Sequence, residues 1–158
     1  MLKINPFLWF DDQAEDAANF YVSVFPNSKI TRITHYTAAG PEAAGRVMTV
    51  ELELEGLPVI FLNGGPQYHF TEAFSLSVSC DDQAEVDRYW AALTADGGEE
   101  SQCGWLKDRF GLSWQIVPRA LSQVLGDPDR AKAKRAMEAM FQMKKLDVDK
   151  LRAAMEAA

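Results

Sequence analysis

Only two cysteines, Cys80 and Cys103, and two histidines, His35 and His69, occur in the 158 residues. So few, so far apart, form neither a disulfide framework nor a zinc box. Positive charge is also scarce: 16 Lys and Arg stand against 23 Asp and Glu, a formal net charge of −7. Nucleic-acid binding draws on clustered cations, and the one basic run, Arg130 to Arg135, reads as the solvated face of a helix. No apolar stretch reaches the roughly 18 residues of a membrane-spanning helix, and Met1 to Pro6 shows no signal-peptide pattern. The expectation is a cytoplasmic protein with neither a nucleic-acid nor a membrane partner.

What is present is enough for an ordinary core, with 47% hydrophobic and 11% aromatic residues, and it is organised by a repeat. The string Asp11-Asp12-Gln13-Ala14-Glu15 recurs unchanged at Asp81-Asp82-Gln83-Ala84-Glu85. Each copy follows a strand-like apolar run, Ile4 to Phe10 or Phe74 to Cys80, and precedes a helical pattern. Ala17, Ala18, Phe20, Tyr21 and Val24, and then Val86, Tyr89, Trp90 and Leu93, fall at spacings that share a helix face. The string itself reads as a helix start: Asp12 or Asp82 as the cap, Glu15 or Glu85 as a capping-box partner, with acidic residues suited to the helix dipole.

Strands follow each helix. Lys29 to Tyr36, Arg46 to Glu55 and Val59 to Asn63 are predicted in the first half, with Ala38 to Gly45 as a loop. Met48, Val50, Leu52 and Leu54 alternate with Thr49, Glu51 and Glu53, the pattern of a half-buried strand. Ser101 to Lys107 and Leu112 to Val117 are predicted in the second half, with a turn at Asp108 to Gly111. Pro118 closes the pattern, and helices are predicted over Leu121 to Leu125, Asp129 to Met143 and after Asp147. Met137, Met140, Phe141 and Met143 read as core or interface packing. The reading is α+β: two tandem βαβββ modules curling into a mixed-sheet cup, with a C-terminal helical tail. It is organised as one domain over 1–158, with module one at 1–68, module two at 69–118 and the tail at 119–158.

This duplicated module resembles the vicinal oxygen chelate superfamily, which includes glyoxalase I, extradiol dioxygenases and bleomycin-binding proteins. Within it the chain is similar to the PhnB-like family, labelled 3-demethylubiquinone-9 3-methyltransferase domain. The residues that carry the likeness are Ile4 to Phe10, Phe20-Tyr21 with Val24 to Pro26, Leu62 to Pro66, Gln102 to Asp108, Phe110 to Pro118, and, in the tail, Met137 to Met140 with Gln142 to Asp147. The resemblance implies a glyoxalase-like cup and a homodimer. The chain has no strand, glycine-rich turn and helix of the kind an S-adenosylmethionine site uses, so its residues argue against methyl transfer.

Enzymes of the superfamily hold a divalent cation with four side chains, two per module. Counted from the repeat, the equivalent first-strand positions are Asn5 and Ser75. The last-strand position of module two is Gln115, and its module-one counterpart is Ile60 or Phe61. These offer no charged donor, so no tightly bound metal and no cofactor is expected. Strand alternation then predicts a pocket of Asn5, Phe7, Trp9, Asn63, Ser75, Ser77, Trp105 and Gln115, partly aromatic with a few hydrogen-bonding groups. The expected function is binding of a small molecule, in the manner of glyoxalase/bleomycin-resistance proteins. The alternative is an isomerase, lyase or transferase, with Glu51, His69 or Cys103 doing the acid–base or nucleophilic work.

Overall fold

A computed structural model describes residues 2–38 and 44–157. The chain divides into two compact units, residues 1–70 and 71–158. Most of the loop predicted over Ala38 to Gly45 lies outside the described residues.

In the first unit β1 (Phe7–Phe10) leads through Asp11 to Gln13 into α1 (Ala14–Val24), followed by β2 (Lys29–His35), β3 (Val47–Leu54) and β4 (Leu57–Asn63). The sheet order is β1-β4-β3-β2, with β1 parallel to β4 and the other pairs antiparallel. Alternation sends Leu8, Phe10, Val50, Leu52, Leu54, Val59 and Phe61 into the core, where Ala14, Ala17, Ala18 and Tyr21 of α1 are also buried. Small alanines let the helix approach the sheet closely, and the aromatic residues fill the layer: Phe61 meets both Phe10 and Tyr21 with ring centroids 4.9 and 5.8 Å apart. A two-residue turn, Glu55 and Gly56, both at positive φ, joins β3 to β4, as tight hairpins require.

The second unit repeats the plan. Its elements are β5 (Ser75–Cys80), α2 (Gln83–Thr94), β6 (Glu99–Glu100), β7 (Trp105–Lys107) and β8 (Ser113–Pro118), in the order β5-β8-β7-β6 with β5 and β8 parallel. Cys80, Trp114 and Ile116 are buried with Val86, Tyr89, Trp90 and Leu93 of α2. The α+β reading with two four-stranded mixed sheets is therefore what the chain adopts.

Two local readings are corrected. Ser101 to Lys107 is not one strand: Cys103 and Gly104 both take positive φ, which turns the backbone and leaves only Trp105–Lys107 paired, with the short β6 before it. The helix-start strings also differ. In the second, Asp82 accepts the Glu85 N–H at 2.9 Å and Glu85 accepts the Asp81 N–H at 2.6 Å, a capping-box variant whose return bond falls one residue before the cap. In the first, no side chain of the string caps α1.

The tail forms α3 (Ala120–Leu125), α4 (Arg130–Phe141) and α5 (Val148–Glu156) around Val124, Ala136, Leu151 and Met155, with Met140 and Met143 packed alongside. Met137 and Phe141 stay exposed on the α4 face turned away from that cluster, so of the expected core or interface side chains only Met140 and Met143 pack in the core. The link from α4 to α5 docks on the second sheet unit. The N–H groups of Cys103 and Gly104 donate to the Met143 and Lys144 carbonyls at 2.8 Å each. The Gln83 amide donates to the Leu146 carbonyl and accepts from the Val148 N–H, both at 2.9 Å. Gly104 leaves room for the buried Leu146 side chain: a Cβ there would sit 2.9 Å from its Cδ1.

Candidate functional site

Strand register decides which side chains share the face opposite each helix. In the first unit Phe7, Ile60, Glu51 and Arg32 stand in one row across β1, β4, β3 and β2, and Trp9, Leu62, Thr49 and Thr34 in the next. Phe7 is 57% exposed, unusual for a phenylalanine in the first strand of a sheet. Trp9 is half-buried: its indole N–H donates to the Gly65 carbonyl at 2.8 Å, its ring meets Tyr68 edge-on, and it lies so close over Gly64 that no Cβ would fit there. Trp9 therefore pins the Gly64-Gly65 turn while sharing the open face.

In the second unit Ser75, Ser77, Ser113, Gln115, Trp105 and Lys107 share the corresponding face. The Gln115 amide donates to the Ser75 hydroxyl at 3.0 Å, so the structure joins these two predicted positions directly. Beside them Glu72, Glu99, Glu100, Ser101, Trp105, Leu106, Lys107 and Ser113 line a cleft of about 180 Å³. Lys107 forms an ion pair with Glu72. This pairing raises the lysine above its ordinary value and holds the Glu72 carboxyl below the usual carboxylate range. Strand alternation puts Ser113 on this face with Gln115, but sequence reasoning missed Glu72, Glu99 and Glu100 as its neighbours, because nothing in their spacing reveals that β6, β7 and β8 lie side by side.

A second cavity, about 430 Å³ and wide to solvent, lies in the first unit against Asp11, Tyr36, Arg46, Asn63, Gly64, Gly65, Pro66 and Gln67. Asn63, predicted as a pocket residue, is part of its lining. It falls on the helix-facing side of β4 beside Phe61. Its Oδ1 accepts the Ala14 N–H at 2.8 Å and its Nδ2 donates to the Val47 carbonyl at 3.1 Å. Its amide is thus spent on starting α1 and tying β3. Asn5 lies just before β1, with its Oδ1 buried and without a hydrogen-bond partner among the described residues.

The remaining predicted residues are dispersed. Glu51 is half-buried in the Phe7 row. His69 is exposed, beyond β4. Cys103 sits at positive φ with its thiol directed to the Met140 carbonyl at 3.5 Å, within the docking turn for the tail. Parallel register also resolves the module-one counterpart of Gln115. Ser77 pairs with Gln115 as Phe7 pairs with Ile60, so the counterpart is Ile60. The positions that the resemblance implies for a divalent ion are thus Asn5 and Ile60 in the first unit and Ser75 and Gln115 in the second; Ile60 supplies no donor atom and Ser75 and Gln115 are hydrogen-bonded to each other, so neither pair fits a divalent cation. Among the described residues no three His, Cys, Asp or Glu side chains converge as a metal site, and no helix is long and apolar enough to cross a membrane.

Comparison with known proteins supplies the lineage. The family described as 3-demethylubiquinone-9 3-methyltransferase matches residues 2–117. That match ends just before the helical tail. No curated protein matches the chain. Among solved structures, the PhnB protein from Bacillus cereus is 32% identical, with a TM-score of 0.67 over 74% of this chain and 99% of that one. A Pseudomonas aeruginosa protein, 22% identical, aligns with a TM-score of 0.61 over 75% and 98%. The fosfomycin resistance protein of Listeria monocytogenes, crystallised with Mn(II) and a sulfate ion, is 15% identical and shares the fold, with a TM-score of 0.55 over 80% and 98%. The chain belongs to the PhnB-like family described as 3-demethylubiquinone-9 3-methyltransferase, built on a glyoxalase-like fold.

Proposed function

We propose that this protein binds a small organic molecule on the open sheet faces, without a resident metal. The observation that carries the reading is the Ser75–Gln115 pair. Where a metal-dependent relative would need charged donors, this chain places a neutral hydrogen-bonded couple, with the half-buried Trp105 in register beside Gln115. Neutral hydrogen-bonding groups next to an aromatic ring recognise a ligand by shape and polarity rather than by coordination. The pocket residues in this reading are Phe7 and Trp9 in the first unit and Ser75, Ser77, Trp105 and Gln115 in the second. Exposed Phe7 and Ile4 are apolar surface that a second copy of the chain would cover, and light scattering of the purified protein tests that homodimer.

The methyl transfer named in the family description finds no support in this geometry. The link from β1 to α1 is Asp11-Asp12-Gln13, without glycine, and neither sheet is the parallel, doubly wound kind that cradles such a cofactor. A thermal-shift screen over small aromatic, amine and thiol-conjugate compounds tests the binding reading. Some class should raise the melting temperature of the native protein and lose that effect in Gln115→Ala, while silence across the screen ends the reading.

One observation favours catalysis as a second reading. Glu51 stands in the same row as the exposed Phe7, with Arg32 on its other side, which suits a general base acting on a substrate laid across the sheet. If an activity is found, Glu51→Gln should lower kcat by roughly a hundredfold or more. An unchanged kcat would remove Glu51 from the mechanism.

A further inference from the structure

The wide cavity of the first unit carries two opposite charges that the fold does not use. Asp11 follows β1, Arg46 immediately precedes β3, and both line the cavity. The sheet order β1-β4-β3-β2 puts the end of β4 between them, a gap of two strand spacings, roughly 10 Å. Backbone bonds fix both banks. The Gly65 N–H donates to the Asp11 carbonyl at 3.1 Å, and the Tyr36 N–H donates to the Arg46 carbonyl at 2.8 Å. The charged groups themselves are left over. Among the described residues neither the Asp11 carboxylate nor the Arg46 guanidinium has an ion pair or a hydrogen bond, with the other or with any third group. Two neutral acceptors stand on the same cavity. The Gln67 side chain folds back on Gly65, where a Cβ would sit 2.8 Å from its Oε1. The Tyr36 hydroxyl donates to the Asn63 carbonyl at 2.6 Å, which leaves the lone pairs of its own oxygen open.

We propose that this cavity takes a zwitterionic α-amino acid, with its carboxylate on Arg46 and its ammonium on Asp11 and the Gln67 Oε1. The site shares no residue with the open-face pocket and does not depend on it. Charge decides among the ligand classes. A simple anion meets the Asp11 carboxylate, a simple cation meets the Arg46 guanidinium, and a neutral molecule leaves both unused. A molecule that carries both charges a few bonds apart answers each and closes the gap between the banks. A guanidinium holds a carboxylate through two parallel N–H···O bonds. An ammonium has three N–H donors, matched by the acceptors at Asp11, Gln67 and Tyr36. The cavity of about 430 Å³ lies within the usual range for small-molecule sites.

The test is a titration of the ¹⁵N-labelled full chain with L-alanine. Propionate, which lacks the ammonium, and ethylammonium, which lacks the carboxylate, are the controls. Alanine should shift the backbone amides of Arg46, Gly64 and Gly65 and the side-chain amide of Gln67. Each control should bind roughly fivefold more weakly or worse, the loss of one exposed ion pair. Arg46→Gln and Asp11→Asn should each weaken alanine binding by a similar factor. Neither side chain bonds to another described residue, so both variants should keep the native spectrum outside the cavity. Gln115→Ala, on the other unit, should bind alanine as the native chain does. The assignment is overturned if alanine moves no cavity signal, if propionate or ethylammonium binds there as tightly as alanine, or if both charge variants bind like the native chain. It is overturned as well if Gln115→Ala abolishes the alanine shifts, since the amino acid would then sit on the open face. Silence from alanine leaves the open-face reading untouched, because the thermal-shift screen tests that reading through Gln115.

Discussion

Residues 11–15 and 81–85 carry the same five side chains, yet the helices that follow them are held by different means. In the second unit the string caps its own helix through Asp82 and Glu85, and Gln83 is free to clasp the tail from both ends of its amide. In the first unit the cap comes from Asn63, at the end of a strand 49 residues away. The hairpins differ likewise. Glu55 and Gly56 turn the first unit in two residues at positive φ. The second uses the longer turn from Asp108 to Leu112, staked by the buried Asp108 carboxylate, which accepts the N–H groups of Phe110 and Leu112 and the Trp114 indole N–H. Local sequence identity does not fix a local role when a tertiary neighbour can take it over.

The largest expected effect tests the staked turn. Asp108→Ala leaves three donors in a buried turn without their acceptor and should cost about 3 kcal/mol or more, read as a lower urea midpoint; a loss below about 1 kcal/mol would show that the carboxylate does not hold the turn. Asn63→Ala comes next. Losing both of its hydrogen bonds should cost about 2 kcal/mol, and a neutral result would mean that α1 starts without its borrowed cap. The sharpest test of the comparison sets equivalent residues side by side. Asp82→Ala should cost about 1 kcal/mol and Asp12→Ala less than about 0.5 kcal/mol. Equal losses would erase the distinction between the two strings.

The smallest effect concerns the end of β5. Burial, reinforced by the Glu85 and Asp81 carboxylates, pushes the Cys80 thiol up from 9.0 to about 12. Because the folded value lies above the unfolded one, the stabilisation from the neutral thiol is complete below about pH 9 and is lost as the pH rises toward 12. Cys80→Ala should therefore lose less stability than the native chain between pH 9 and 11. At pH 8 Cys80 should resist alkylation until the protein unfolds, and rapid labelling of the folded chain would contradict its burial.

Much of the fold was legible because its signals are local. Alternation over Val47–Leu54 and helical spacing over Val86, Tyr89, Trp90 and Leu93 report burial directly, and the repeat aligned the modules closely enough to find Ser75 and Gln115. The candidate site was legible only in part. Parity within one strand placed Phe7 and Trp9 on the open face, but the hydrogen bond by which Asn63 starts α1 depends on β4 lying beside β1, which spacing along the chain does not reveal. The positive φ values of Cys103 and Gly104 were hidden because a Cys-Gly pair followed by apolar residues reads equally well as strand.

By itself the sequence determined the module, its duplication and the absence of charged side chains at Asn5, Ser75 and Gln115. These depend on side-chain identity and on periods of two and 3.6 residues, which the chain carries along its length. Only the tertiary structure decided which of two identical strings caps a helix, that Ile60 is the counterpart of Gln115, and that Glu72, Glu99, Glu100 and Ser113 meet in one cleft. Those outcomes depend on the pairing of strands distant in sequence, and that pairing is set by backbone hydrogen bonding and the packing of whole layers.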